Sequence, residues 1–238
     1  MALKKHELRV CVVIPAFNES KVIGSVISNV VKDFKTTPYL VEVVVVDDCS
    51  KDNTAIIAQD NGAIVIRQIL NTGAGGATAT GLSYAQQNNF NIACTMDADG
   101  QHDSKDVVEG VNQLIARKAD LLIGSRLINK EGMSKVKILG NKGLSTITRV
   151  LFGINSTDSQ SGLRIFSRKA IEQLRWKTSG YEFCSEMLWR AKQENLLIEE
   201  YPIKAIYTEY SKAKGQNNWN AINIVKSLIK RRVTEMFE

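Results

Sequence analysis

No apolar run in this 238-residue chain reaches the length that spans a bilayer, so no transmembrane helix is expected. Lys4 and Lys5 are followed only by a short apolar run, residues 10–14, and a signal peptide is not expected either. Cysteine is sparse. Cys11, Cys49, Cys94 and Cys184 lie far apart with no Cys-x-x-Cys pair, which argues against a disulfide framework and for a reducing compartment. Aromatic residues are few and not interleaved with basic ones along a strand, so a platform for single-stranded nucleic acid is not favoured. Repeats, low-complexity tracts and a linker between independent domains are all missing. What remains is one cytoplasmic globular domain, at most peripheral on the cytoplasmic membrane face. The net charge of +6 is modest and suits a partner carrying phosphates, without selecting among nucleotide, anionic lipid and nucleic acid.

Apolar periodicity is plentiful. Residues 9–15, 41–47, 63–69, 92–96 and 120–125 read as strands, and residues 41–47 form a continuous β-branched run of the kind covered on both faces. Between them, residues 18–31, 54–61, 77–87 and 106–118 read as helices. This alternation predicts an α/β fold, a mostly parallel central sheet with helices on both faces, and ligands beyond the carboxyl ends of the strands. The second half reads as a polar, basic loop over 129–137, helices over 141–152 and 181–194, and an edge strand over 198–206 carrying Pro202. A final helix covers 220–237.

Chemistry-bearing residues fall at the expected strand ends. Asp97-Ala98-Asp99-Gly100-Gln101-His102 follows the fourth strand. Side chains alternate in extended backbone, so the two carboxylates point to one side, where like charges repel. A divalent cation with hard oxygen ligands, Mg²⁺ or Mn²⁺, is the usual resolution, and a solvated acidic loop is the alternative. Asp47 and Asp48 end the second strand, where carboxylates accept from a base N–H or ribose hydroxyls. Asn18 follows the first strand and is equally a helix cap. The Asn71–Gly76 run, with Gly73 and Gly75, reads as a turn that lets backbone N–H groups approach phosphate, or as a turn alone. It also matches a dinucleotide fingerprint weakly, but after the third strand rather than the first. Arg126 ends the fifth strand, with Lys130, Lys135 and Lys137 after it. Arginine grips phosphate bidentately and lysine acts as a point charge. Glu186 falls among apolar neighbours on a helix, either on a polar flank or aimed into a site.

In order and spacing, Ile14-Pro15-Ala16-Phe17-Asn18-Glu19, Val46-Asp47-Asp48-Cys49-Ser50, Asn71-x-Gly73-x-Gly75, Asp97-x-Asp99-x-Gln101-His102 and Gly124-Ser125-Arg126 resemble the inverting family 2 glycosyltransferases. Asp158-x-x-Ser161-Gly162-Leu163-Arg164 and Glu199-Glu200-Tyr201-Pro202-Ile203 are similar to the branch of dolichyl- or polyprenyl-phosphate sugar synthases. The resemblance implies a GT-A-type domain over 1–238. Residues 1–126 would form the nucleotide-sugar half, 127–218 the acceptor half and 219–238 an amphipathic helix. Pro15, Ala16, Asn18, Glu19 and Asp48 would hold the nucleoside of a UDP- or GDP-linked sugar. Asp97, Asp99 and Gln101 would surround the metal and diphosphate. Arg126 and Lys137 would face the phosphates, and Asp158, Arg164 and Glu186 would line the sugar and acceptor side. Lys212 or Lys214 would supply a charge that this branch usually draws from an arginine.

The reaction so implied is displacement at an anomeric carbon with a nucleoside diphosphate leaving. A saccharide hydroxyl acceptor needs a general base, for which Asp158 and Glu186 are the candidates. A polyprenyl phosphate acceptor is already an anion and needs cations instead. The last helix pairs an apolar stripe (Ile222, Val225, Ile229, Val233, Met236) with Lys226, Lys230, Arg231 and Arg232, and fits either its own domain or an anionic bilayer. A nucleotidyltransferase, a non-catalytic nucleotide-binding module and a dinucleotide-dependent oxidoreductase are the competing readings.

Overall fold

The computed structural model describes residues 8–129, 133, 135–206, 210, 225–229 and 234. Lys130, Lys212, Lys214 and most of residues 219–238 lie outside the described residues, and so does the side chain of Lys135. The elements run β1 (Arg9–Ala16), α1 (Ile23–Phe34), β2 (Leu40–Asp47), α2 (Thr54–Asp60), β3 (Ile64–Arg67), α3 (Gly73–Gln87), β4 (Ile92–Thr95), α4 (Ser104–Arg117) and β5 (Leu121–Ser125). They continue with α5 (Lys135–Phe152), β6 (Arg164–Ser167), α6 (Arg168–Gln173), α7 (Phe183–Gln193) and β7 (Ile198–Pro202).

All seven strands join one sheet in the order β3-β2-β1-β4-β6-β5-β7. β1 pairs in parallel with β2 and β4, β2 with β3, and β5 with β7. β6 alone runs antiparallel, between β4 and β5. Alternation along the strands feeds two cores. Cys11, Val13, Val44, Val46, Leu121 and Ile123 face the layer that includes α3, α6 and α7. Val10, Val12, Ile14, Val43, Val45 and Leu122 face the layer that includes α1 and α4. Cys11, Cys94 and Cys184 are buried thiols, and burial pushes Cys11 up to about 12. No described helix is long and apolar enough to cross a membrane.

Several boundaries move from their sequence-based positions, each for a local reason. α1 begins at Ile23 rather than at residue 18. Asn18 sits in left-handed backbone (φ 55) and its side-chain Oδ1 accepts from Lys51 N at 2.8 Å, so it ties two loops together instead of opening α1. α3 begins at Gly73 rather than at residue 77, because a distant carboxylate, described below, meets its first amides. α5 begins at Lys135, so the end of the expected basic loop is helical. α6 is a single short helix that periodicity did not reveal, capped where Ser167 Oγ accepts from Ala170 N. β7 stops at Pro202, which has no N–H to extend a ladder, and it lies at the sheet edge as its proline requires.

Helix α3 lies so close to β1 that a Cβ built on Gly81 would sit 2.1 Å from Val13 Cγ1. Gly81→Ala is therefore expected to destabilise the fold by about 1–3 kcal/mol through overpacking. Urea denaturation checks this, and a variant as stable as the parent would show that α3 slides freely on the sheet.

Candidate active site

The acidic turn after β4 is held from several sides. Asp97 Oδ2 meets His102 Nε2 at 3.1 Å, and the imidazole is buried. Facing a carboxylate, Nε2 carries the proton, which leaves Nδ1 as a buried nitrogen with no hydrogen-bond partner. Both Asp99 oxygens accept from Gln101, from its backbone N at 3.0 Å and from Nε2 at 2.5 Å. The two acids titrate apart. Burial pushes the Asp97 carboxyl up, but the His102 contact and the positive charges of Arg126 and Arg164 outweigh it and hold Asp97 below the usual range. Burial and then the Asp97 charge raise Asp99. Nearly half of the Asp97 side-chain surface (47%) stays open. Its other side rests on Gly162, where an added Cβ would lie 2.3 Å from Oδ1.

Behind the turn stand two arginines. Arg126 grips Asp158 with Nε and Nη2 at 2.7 and 2.9 Å, and its backbone N lies 3.2 Å from the same carboxylate, which is fully buried. Arg164 is also buried. Its guanidinium donates to Ser161 O at 3.0 Å and Ser159 O at 2.8 Å and lies 2.9 Å from Met187 Sδ. Arg164 thus reaches Asp97 through its field rather than by contact, and its donors are turned to the protein rather than to a ligand.

The remaining carboxylates brace the loops. Asp48 accepts from Thr72 N at 2.7 Å, Thr72 Oγ1 at 3.1 Å and Gly73 N at 2.8 Å, so it caps α3 from another strand. Asp47 accepts from Ser50 N and lies 3.3 Å from Arg67 Nε. Gly75 N donates to Ser179 O at 2.7 Å. A Cβ on Gly73 or Gly75 would come 2.6 Å from the carbonyl oxygen of Ser179 or Thr178. The glycine turn therefore receives the 178–180 segment, and its Thr72, Gly73 and Gly75 amides are engaged within the protein. Glu186, fully buried on α7, fixes that segment in turn by accepting from Lys177 N, Thr178 N and Thr178 Oγ1 at 3.1, 2.9 and 2.6 Å.

The first loop and the chain after β7 close the remaining side. Glu19 is buried, its backbone N donates to Thr54 Oγ1 and its Oε2 accepts from Tyr210 Oη at 2.7 Å. Ile206 N donates to Gln101 O at 3.0 Å. Pro15, Ala16, Asp97, Asp99, Arg126 and Asp158 thus gather at one end of the sheet. Lys137 lies on an exposed face of α5. Sequence reasoning passed over His102 as a site residue although the motif contained it. It passed over Gly162 as the seat of Asp97 because nothing local marks so distant a contact.

A sheet of this topology, with an Asp-x-Asp turn at the carboxyl ends of its strands, defines the GT-A class of glycosyltransferase folds. Residues 11–175 match the model for Glycosyl transferase family 2, and the chain belongs to that family and is a glycosyltransferase. It is 42% identical over 229 residues to the UDP-N-acetylglucosamine–dolichyl-phosphate N-acetylglucosaminyltransferase of Methanococcus voltae, covering 86% of this chain and 88% of that one. It is 27% identical over 219 residues to the undecaprenyl-phosphate mannosyltransferase of Micrococcus luteus, covering 87% of each. Among solved structures it is similar to mannosyl-3-phosphoglycerate synthase from Rubrobacter xylanophilus, with a TM-score of 0.71 at 17% identity over 96% of this chain and 74% of that chain. Glucosyl-3-phosphoglycerate synthase from Mycobacterium tuberculosis, solved with Mn²⁺ and UDP, also gives 0.71, at 19% identity over 94% of this chain and 78% of that chain.

Asp48→Ala is expected to cost roughly 2–4 kcal/mol, because it strips a charged acceptor from two backbone amides. Chemical denaturation measures the loss, and Asp48→Asn should recover part of it by keeping one acceptor oxygen. An alanine variant of unchanged stability would mean that the carboxylate does not hold α3.

Proposed function

We propose that this enzyme transfers a sugar from a nucleoside-diphosphate donor to a polyprenyl phosphate, using Mg²⁺ or Mn²⁺ at Asp97 and Asp99. The acceptor reading rests on one observation above all. Both carboxylates eligible as a general base are engaged: Asp158 along both oxygens by Arg126, and Glu186 by the 177–178 backbone. A hydroxyl acceptor needs a base, whereas a phosphate acceptor arrives already charged. The acceptors in the names of the Methanococcus and Micrococcus relatives, dolichyl phosphate and undecaprenyl phosphate, support the same choice.

The acidic turn fits a divalent cation. It offers two hard-oxygen carboxylates, and burial followed by the Asp97 charge raises Asp99. A divalent ion of this kind is commonly held by one or two carboxylates and shares its other positions with water and substrate phosphate. Asp97 and Asp99 would hold it, with Gln101 beside them. When bound, such an ion offsets the charge that grows on a departing diphosphate. The chain's own residues do the rest. Arg126 and Arg164 add positive potential on the leaving-group side. His102 fixes the Asp97 carboxylate. Pro15, Ala16, Asn18 and Glu19 wall the nucleoside, and Asp48 sets the α3 turn beneath it. Lys137 and Lys212 draw in the acceptor phosphate, and attack in line inverts the anomeric centre. The acceptor's lipid chain implies peripheral contact with a membrane.

Asp97→Asn is expected to reduce turnover on polyprenyl phosphate at least about 100-fold and to abolish Mn²⁺-dependent binding of UDP or GDP in calorimetry, with the thermal midpoint little changed. Activity within a few-fold of the parent would remove the metal role. Glu186→Gln is expected to leave the acidic limb of the pH–rate profile in place. A base protonates as pH falls, so the disappearance of that limb in Glu186→Gln would reinstate Glu186 as a base for a hydroxyl acceptor.

A further inference from the structure

Outside the strand-end cleft lies a cavity of about 500 Å³ between α5 and the turn that follows it. Lys142, Ser145, Thr146 and Arg149 form one wall, spaced as neighbours on a single helical face. Asn155, Ser156 and Thr157 form the opposite wall, and Leu127 supplies an apolar patch. The nearby carboxylate of Glu200 is already satisfied by Ser156 Oγ at 2.7 Å, Thr157 N at 2.8 Å and Thr157 Oγ1 at 2.6 Å. Ser145 is occupied by Ser159, to which it both donates and accepts. Four donor side chains are left. Among the described residues Lys142, Thr146, Arg149 and Asn155 make no side-chain hydrogen bond or ion pair, and two of them are cations.

We infer that this cavity is a second anion site, built for a phosphate ester and separate from the donor cleft. An ammonium and a guanidinium facing one space, with hydroxyl and amide donors between them, match phosphate oxygens in number and charge. The volume exceeds that of bare phosphate, and Leu127 gives an organic substituent a surface to rest on. The phosphate ester is either the headgroup of an anionic phospholipid or a free small-molecule ester. The cavity adjoins the Arg126–Asp158 pair, since Leu127 and Thr157 are its chain neighbours and Thr157 Oγ1 lies 2.6 Å from Ser125 Oγ at the end of β5.

The test is backbone amide NMR on the full chain, titrated with glycerol 3-phosphate in one arm and with phosphatidylglycerol vesicles in the other. The parent should shift at residues 142–157, and Asp97→Asn should shift in the same way, since the cleft is not involved. Lys142→Gln with Arg149→Gln should weaken the response by about tenfold or more, and both side chains are exposed, so the fold should persist. A loss in the soluble arm alone assigns the site to a free ester. A loss in both arms assigns it to a lipid headgroup. The inference is overturned if neither ligand shifts residues 142–157, or if the double variant responds like the parent.

Discussion

Two carboxylates forced together at the end of β4 set the terms for everything around them. Burial and then the Asp97 charge raise Asp99, while Asp97 itself is held low against its own burial. The fold answers with His102 in contact with Asp97 and with Arg126 and Arg164 at longer range. Arg164 is the more telling of the two. A buried arginine with no carboxylate within ion-pair distance among the described residues is costly unless its field has a use. Here that field acts on the acidic turn. The charge is placed where it stabilises an anion without occupying the space that a substrate needs.

The same structure separates carboxylates that face outward from those that hold the scaffold. Asp97 keeps nearly half its side chain open, whereas Asp47, Asp48, Asp158 and Glu186 are closed in. Asp48 and Glu186 form two ends of one brace. Asp48 fixes the start of α3, α3 presents its glycines to residues 178–180, and Glu186 pins those residues from α7. The brace ties the end of β2 to α7 through α3. A change at Glu186 would therefore reach the start of α3 through packing.

Much of this was legible in the chain. Alternating strands and helices gave the parallel core, because β1, β2 and β4 bury both faces and leave continuous apolar runs. The strand-end rule then gathered the acidic turn, Pro15 and Arg126 at one end. Long-range capping was not legible. Nothing near residue 73 says that α3 starts there, since the acceptor comes from Asp48 on another strand. Gly73 and Gly75 read as a phosphate cradle because a glycine run looks the same whether a ligand or another stretch of backbone approaches it. Here Thr178 and Ser179 make the approach. Asp158 and Glu186 are candidate bases from sequence for a hydroxyl acceptor, because sequence shows a carboxylate but not its partners.

The reversed strand β6 explains how the second half reaches the site at all. Parallel strands deliver only the loops that follow them to the carboxyl end of a sheet. β6 pairs antiparallel with both β4 and β5, so it starts where they finish: Arg164 lies opposite Thr95 and Ile123. The loop before it, carrying Asp158, Ser161 and Gly162, therefore arrives beside the acidic turn and the end of β5. Gly162 fits under Asp97 because no side chain intervenes, and Asp158 meets Arg126 across the neighbouring strand. A parallel β6 would have placed these groups at the opposite edge, so their meeting with the acidic turn depends on one strand running against the others.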